Sequence, residues 1–516
     1  MGRLNADSGS IPTAYRPGLL RSQGPLRRRR SGGSSCFATG DSKATSLSID
    51  ERVVQKTLEL IREHARLDEE SPVRPYKSPD TLRADLDLAL DGRAHPMPEI
   101  TEALAALLST TPSTTSRRFF NQLFAGRDTV ATMADVLVSI TNTPMYTFKA
   151  GGPQVLLERA CITRMASKAG YTEGDGIFTP GGSLSNMAAM IIARNETFKD
   201  ARDRGLPGER GTLYTSEECH YSIRKGAGMV GIGRDNVRFV PTDAEARMDP
   251  GALREMIAQD MRDGATPVMI NATSGTTVQG AFDPIPEIAD VAKEFGIWLH
   301  VDAAWGGAVL LSETRRHLMS GAEQADSITW DAHKLMGAPL TSSVLLTREV
   351  GVCKKHFDEA ASYLYQEDDD DLNPGRSSLQ CGRRNDALKI WAAWKKHGDE
   401  GYTRIVEKCF ALASHTAARV QSDPDLVLSH DPQYVNVCFE VVGKSSEQIC
   451  MELGRRQIAK VGWGLVRGRK TIRMVYANPD VSTGEIDLLL DEIKNVAAEL
   501  PDADNELEMS AQPARV

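Results

Sequence analysis

PVMINATSGTTVQGAFDPIPEIADVAKEFGIWLHVD, residues 267–302, holds a short apolar run, a helical run and a second apolar run. Pro267 to Asn271 and Ile297 to Asp302 read as buried strands. Between them, Ile285 to Phe295 sets Ile288, Val291, Ala292 and Phe295 on one helical face. Strand, helix, strand at this spacing predicts a parallel sheet with right-handed crossovers. Ser327 to Trp330 reads as a further strand. Polar residues cluster just past these strands, from Asn271, Asp302 and Asp331 onward. Open α/β sheets bind ligands outside the carboxyl ends of their strands. The pattern points to one crevice.

Outward from this centre, residues 126–350 continue the α/β alternation. Residues 48–110 read as helices, Ile49 to Ala65 and Pro98 to Leu108 among them. Beyond about 396, helices and short strands (Tyr434 to Val442, Thr471 to Tyr476) predict a smaller α+β domain. The expected organisation is a disordered or targeting segment 1–45, a helical segment 46–125, a large domain 126–395, a small domain 396–500 and a tail 501–516.

The first 40 residues carry seven arginines and one acid, Asp7. Too polar to bury a core, they suit either a disordered start or an organelle transit peptide. With 41% hydrophobic and 25% charged residues, the 516-residue chain is ordinary for a soluble protein. A net charge of −9 argues against nucleic acid or an anionic membrane as main partner, and no apolar run is long enough to span a bilayer. The eight cysteines are scattered. That spacing argues against a disulfide framework or a metal site and favours a reducing, cytoplasmic location.

Four local features carry chemistry. Gly181-Gly-Ser-Leu-Ser-Asn186 opens a helical run, and backbone N–H groups there make an anion cradle, although a plain helix cap looks the same. Asp302 ends a buried strand, where a carboxylate caps a helix or pairs with a cation such as a pyridinium N–H. Lys334 follows His333 between Trp330 and Leu335-Met336. Lysines are usually solvated charges, but one withdrawn from water is free for Schiff-base chemistry. His220, in Cys219-His-Tyr-Ser222, is by itself a packing histidine as readily as a ring stacker. Taken together, phosphate cradle, ring stacker, acid for a ring nitrogen and amine for an aldehyde match the parts of pyridoxal phosphate in chain order.

With these residues in view, the sequence resembles the group II pyridoxal-phosphate decarboxylases of fold type I. It is most similar to the branch of glutamate, cysteine-sulfinate and acidic-amino-acid decarboxylases. The likeness runs from about residue 50 to 500, through Arg118 to Leu123, GDGIFTPGGSLSN (174–186), NATSGTTVQGAFDP (271–284), WLHVDAAWGG (298–307), His333-Lys334 and Gln380 to Arg383. It implies a large domain with a mostly parallel, seven-stranded-type sheet, a helical N-terminal segment, a small α+β C-terminal domain and a homodimer. It also implies that Lys334 holds the cofactor, Asp302 pairs with its ring nitrogen and His220 stacks on the ring. Gly182, Ser183 and His333 would lie near the phosphate, Gln122 would face the substrate's distal acid, and Arg473 would grip its α-carboxylate.

Departures from the family bear on substrate. Phe124 stands where animal-type glutamate enzymes have serine, and Tyr146 where they have phenylalanine. Larger side chains shorten a pocket, favouring cysteine sulfinate (giving hypotaurine) or aspartate (giving β-alanine) over glutamate (giving γ-aminobutyrate). Pro144 fits neither subtype, and Lys149 lies in a stretch usually acidic and apolar. Asp331 replaces an asparagine expected near the phosphate. No tyrosine lies between Gln366 and Gln380, where relatives carry one that returns a proton to Cα. Three further readings stay open: glutamate decarboxylase, an aldehyde-forming enzyme in which decarboxylation is coupled to oxidative deamination, and a non-catalytic cofactor-binding relative.

Overall fold

The structure, a computed structural model, describes residues 51–71, 73–206, 208–366 and 372–503. The Arg-rich start and the acidic run 367–371 lie outside the described residues. The described residues from Lys56 onward form one compact unit. It holds two sheets.

The first sheet has strands β1 (Asp175–Thr179), β2 (Gly211–Ser216), β3 (Val237–Val240), β4 (Thr266–Thr273), β5 (Trp298–Asp302), β6 (Ser327–Asp331) and β7 (Ser343–Thr347), in the order β1-β7-β6-β5-β4-β2-β3. The run β3-β2-β4-β5-β6 is parallel, as the sequence implies, and β7 is antiparallel to both its neighbours. The helix read over Ile285 to Phe295 spans those residues. Its Ile288, Val291 and Ala292 pack in one core cluster with Leu299 and Val301 of β5.

The opposite parity of β5 places His300 and Asp302 on the other face. Register puts Asp302 beside Thr273 of β4 and Thr329 of β6, and Asp331 beside Ser343 of β7. Alternation along each strand therefore lines Asn271, Thr273, His300, Asp302, Thr329 and Asp331 on one face. Parallel strands covered on both sides are normally apolar throughout. This buried polar face, under the helix Gly182–Thr197, is the feature that packing alone does not explain.

The second sheet, in the order β10-β11-β9-β8, is antiparallel and comprises β8 (Leu426–Leu428), β9 (Asn436–Val441), β10 (Gly462–Val466) and β11 (Arg469–Val475). The helix Ala387–Ser422, broken at Gly398 (φ 60°, ψ −173°), packs against both β8 and the helix Pro153–Lys168 that borders the first sheet. The segment at Phe119 pairs with the second sheet: Phe120 N–H donates to Lys460 O at 2.7 Å, and Val475 N–H donates to Phe120 O at 3.0 Å. No helix among the described residues is long and apolar enough to cross a membrane.

Candidate active site

The polar face becomes a site at the amino end of the helix Gly182–Thr197. Gly182 has no room for a side chain, because an added Cβ would lie 2.7 Å from Asp331 Oδ2. The Asp331 carboxylate, 3% exposed, also stands 3.3 Å from Lys334 Nζ and 3.5 Å from His333 Nε2. Lys334 is held by the turn that carries it. His333 Nδ1 accepts Ser342 N–H at 3.0 Å. Buried Lys389 donates to the carbonyls of Thr341 (2.6 Å) and Pro339 (3.2 Å), just past the lysine.

Asp302, on the neighbouring strand, accepts Asn186 Nδ2 at 2.8 Å on one oxygen and Ala304 N–H at 3.1 Å on the other. His220 lies in the turn after β2, and Ser222 Oγ is 2.8 Å from its Nδ1. Burial lowers the His220 pKa, opposed by Asp302 and Asp331 and reinforced by Lys334. Its ring is therefore within electrostatic reach of all three charged groups and is neutral at neutral pH. Burial pushes His300 down to about 4; it too is an uncharged ring.

A second group gathers about Arg473 on β11. Its Nη1 donates to Thr277 O at 3.0 Å and its Nη2 to Asn121 O at 2.6 Å, while the buried Nε has no partner. Gln122 and Phe124 follow directly on this strap. Phe124 packs on Phe119 with ring centres 6.2 Å apart. The Tyr146 carbonyl accepts Gly375 N–H at 2.9 Å, and the Pro144 carbonyl accepts Arg383 N–H at 2.9 Å. The Arg383 side chain is engaged in a buried ion pair with Glu158, at 2.6 Å for one of its bonds. Ser183, in the first turn of the helix Gly182–Thr197, is exposed.

A family model described as the pyridoxal-dependent decarboxylase conserved domain matches residues 79–442. The chain belongs to the pyridoxal-dependent decarboxylases. It is 39% identical to mouse cysteine sulfinic acid decarboxylase over 448 residues, covering 82% of this chain and 91% of that protein. It is 36% identical to mouse acidic amino acid decarboxylase GADL1 over 482 residues, 88% of each chain. The crystal structure of mouse CSAD matches with a TM-score of 0.82 at 35% identity, over 87% of this chain and all of that one.

The family cofactor is pyridoxal phosphate, and the residues fit it. Asn271 Oδ1, Thr273 Oγ1 and Asp331 Oδ1 are buried without a partner on the face that carries Asp302, and orphaned atoms of this kind call for a bound group. An amine, a carboxylate, a neutral imidazole and a helix amino end are the groups that would meet its aldehyde, ring nitrogen, ring face and phosphate. Asp331 is the one member whose charge opposes an anion. A like charge a few ångströms away costs about 4 kcal/mol at an effective dielectric near 20, here offset by Lys334. Asp331→Asn should therefore tighten cofactor binding by about tenfold, roughly 1.4 kcal/mol, in titrations of cofactor-free protein.

Asn186 and His300 are functional residues that residue type alone does not reveal. The signal available was spacing: Asn186 is one helical turn past Gly182, and His300 is two strand residues before Asp302, each on the same face as its neighbour. Neutral His300 also has a consequence for stability. Its folded pKa of about 4 lies below the ordinary 6.5, so the unfolded chain binds more protons. The stability is whole above pH 6.5 and is lost as pH falls toward 4, by about 3 kcal/mol. His300→Gln should flatten that part of a urea-melt series run from pH 7 to 4.

Proposed function

We propose that this decarboxylase acts on a short acidic amino acid, cysteine sulfinate or aspartate, releasing CO2 with hypotaurine or β-alanine. The observation carrying the proposal is Phe124, packed on Phe119 in the strap whose Asn121 carbonyl holds Arg473. A bulky ring there leaves less length for the substrate's distal acid. The similarity to decarboxylases named for cysteine sulfinic acid and for acidic amino acids supports the same reading.

Lys334, Asp302, His220 and Gly182 would hold pyridoxal phosphate, and bound there it supplies a sink for the electron pair left on Cα as CO2 departs. Arg473 binds the α-carboxylate: a guanidinium fixed by two backbone carbonyls meets a carboxylate with little further loss of freedom. Asp302, kept as an acceptor by Asn186 and Ala304, holds a proton on the ring nitrogen. Lys334, 3.3 Å from Asp331, would supply the amine that holds the cofactor and displaces product from it. A proton then returns to Cα.

The test is CO2 release from cysteine sulfinate, aspartate and glutamate by the purified enzyme. The shorter acids should be favoured in kcat/KM, and Phe124→Ser should move preference toward glutamate by about 10-fold or more, the value of a methylene in a pocket. Glutamate as best substrate of the unaltered enzyme would refute the proposal. The sequence favours one second reading, because no tyrosine lies between Gln366 and Gln380. Hydrogen peroxide and an aldehyde among the products would establish it.

Exposed apolar side chains support a homodimer as the working unit. Ile61, Ile100, Leu104, Leu107, Met133 and Ile140 all stand at least 41% exposed on helices. Sedimentation as a monomer would refute this. The scattered cysteines support a reducing, cytoplasmic compartment.

A further inference from the structure

A single hydrogen-bonded chain runs beneath the site, and its direction is determinate. Trp298 Nε1, which can only donate, reaches Ser327 Oγ at 2.9 Å. The Ser327 hydroxyl is therefore free to donate to His300 Nδ1, 2.8 Å away. His300, neutral and fully buried, then carries its proton on Nε2, 3.1 Å from Asn186 Oδ1, with Thr329 Oγ1 at 3.3 Å. Asn186, 1% exposed, has the opposite constraint at its other end. The Asp302 carboxylate accepts only, so the Asn186 amide nitrogen must face it, at 2.8 Å. The two constraints agree, and together they fix which way the amide points.

The same nitrogen donates to Ser222 Oγ at 3.1 Å, which turns the serine hydroxyl toward His220 Nδ1 at 2.8 Å. The Ser222 backbone N–H also approaches Nδ1, at 3.3 Å. Nδ1 is thus an acceptor, and the proton of neutral His220 is on Nε2.

We propose that Asn186 is a positioning residue of this decarboxylase: one buried amide that orients Asp302 and, through Ser222, locks His220 in the Nε2–H form. It couples the residue for the ring nitrogen to the residue for the ring face. His220 then has its proton on the ring nitrogen that the chain does not use. The inference rests on assigning Asp302 and His220 to the cofactor. The tautomer belongs to the protein alone, so its test stands apart from that assignment.

The experiment uses full-length holoenzyme carrying ring-15N histidine, with His220 resonances identified by their loss in His220→Gln. At pH 7 the expected pattern is protonated Nε2 and bare Nδ1. In Asn186→Leu the Ser222 hydroxyl is released to accept, so both His220 nitrogens should move to intermediate shifts. kcat for CO2 release should fall about tenfold to a hundredfold, the loss of one hydrogen bond to a charged group, with KM changed less than about threefold. Ser222→Ala should disturb the tautomer while leaving Asn186 on Asp302, and Ser222→Thr should restore it. A proton on Nδ1 in the unaltered enzyme overturns the proposal. So does a folded Asn186→Leu with the original tautomer and kcat. If Asn186→Leu does not fold, an unchanged tautomer in Ser222→Ala overturns it.

Discussion

Lys334→Ala is expected to abolish CO2 release, by at least about 10³-fold, since it removes both the nucleophilic amine and a proton-transfer group. The same change has a structural cost. Asp331, 3% exposed, loses a cation 3.3 Å from its carboxylate, and a buried charge stripped of its partner destabilises by about 3–5 kcal/mol. A melting-temperature loss in Lys334→Ala is therefore expected and is separate from the cause of inactivity. The double variant Lys334→Ala with Asp331→Asn distinguishes the two effects. It should regain much of the melting temperature and none of the turnover. Borohydride reduction of the holoenzyme followed by peptide mass analysis should place the cofactor adduct on Lys334. An adduct elsewhere, or a double variant that turns over, would remove the basis of the mechanism.

The part of the site that was legible in the sequence is the part written in strand ends. Asp302 and Lys334 each sit just past a short apolar run, and the helix Ile285–Phe295 was readable because its apolar spacing has no competing pattern. Other parts were not readable locally. β7 is antiparallel, and the signal available was the connection: the eleven residues between Asp331 and Ser343 are too few for a helical crossover. The bridge from Phe119 to Lys460 joins segments far apart in sequence, and an irregular strap has no periodicity to announce its partner. That bridge brings the strap carrying Gln122 and Phe124 to the sheet of Arg473, so the substrate end depended on family likeness where the cofactor end did not. Asp331 marks a different limit. Its identity was plain, but its balance against Lys334, His333 and the amino end of a helix is a matter of distance.

Asp302→Asn is the second large effect, and it is cleaner because the replacement is nearly isosteric. The carbonyl oxygen of the new amide can keep one of the two donors now served, Asn186 Nδ2 at 2.8 Å or Ala304 N–H at 3.1 Å, so the fold and Lys334 should be spared. What changes is the charge of the group offered to the ring nitrogen. A carboxylate accepts a hydrogen bond from the protonated nitrogen and stabilises its positive charge, whereas an amide does the first weakly and the second not at all. Site 302 is 5% exposed, so water replaces little of the loss. Removing one partner of a buried ion pair costs about 3–5 kcal/mol, which at 1.36 kcal/mol per tenfold is roughly 10²–10⁴ in kcat. KM for the amino acid should move little, because Arg473 lies on the other sheet and keeps its own contacts to Thr277 and Asn121. Cofactor should still be retained through Lys334, with the absorbance of the bound ring shifted toward its unprotonated form. If Asp302→Asn turned over within about threefold of the unaltered enzyme with an unshifted spectrum, the electron sink would not depend on this carboxylate, and the polar face under the helix Gly182–Thr197 would need another explanation.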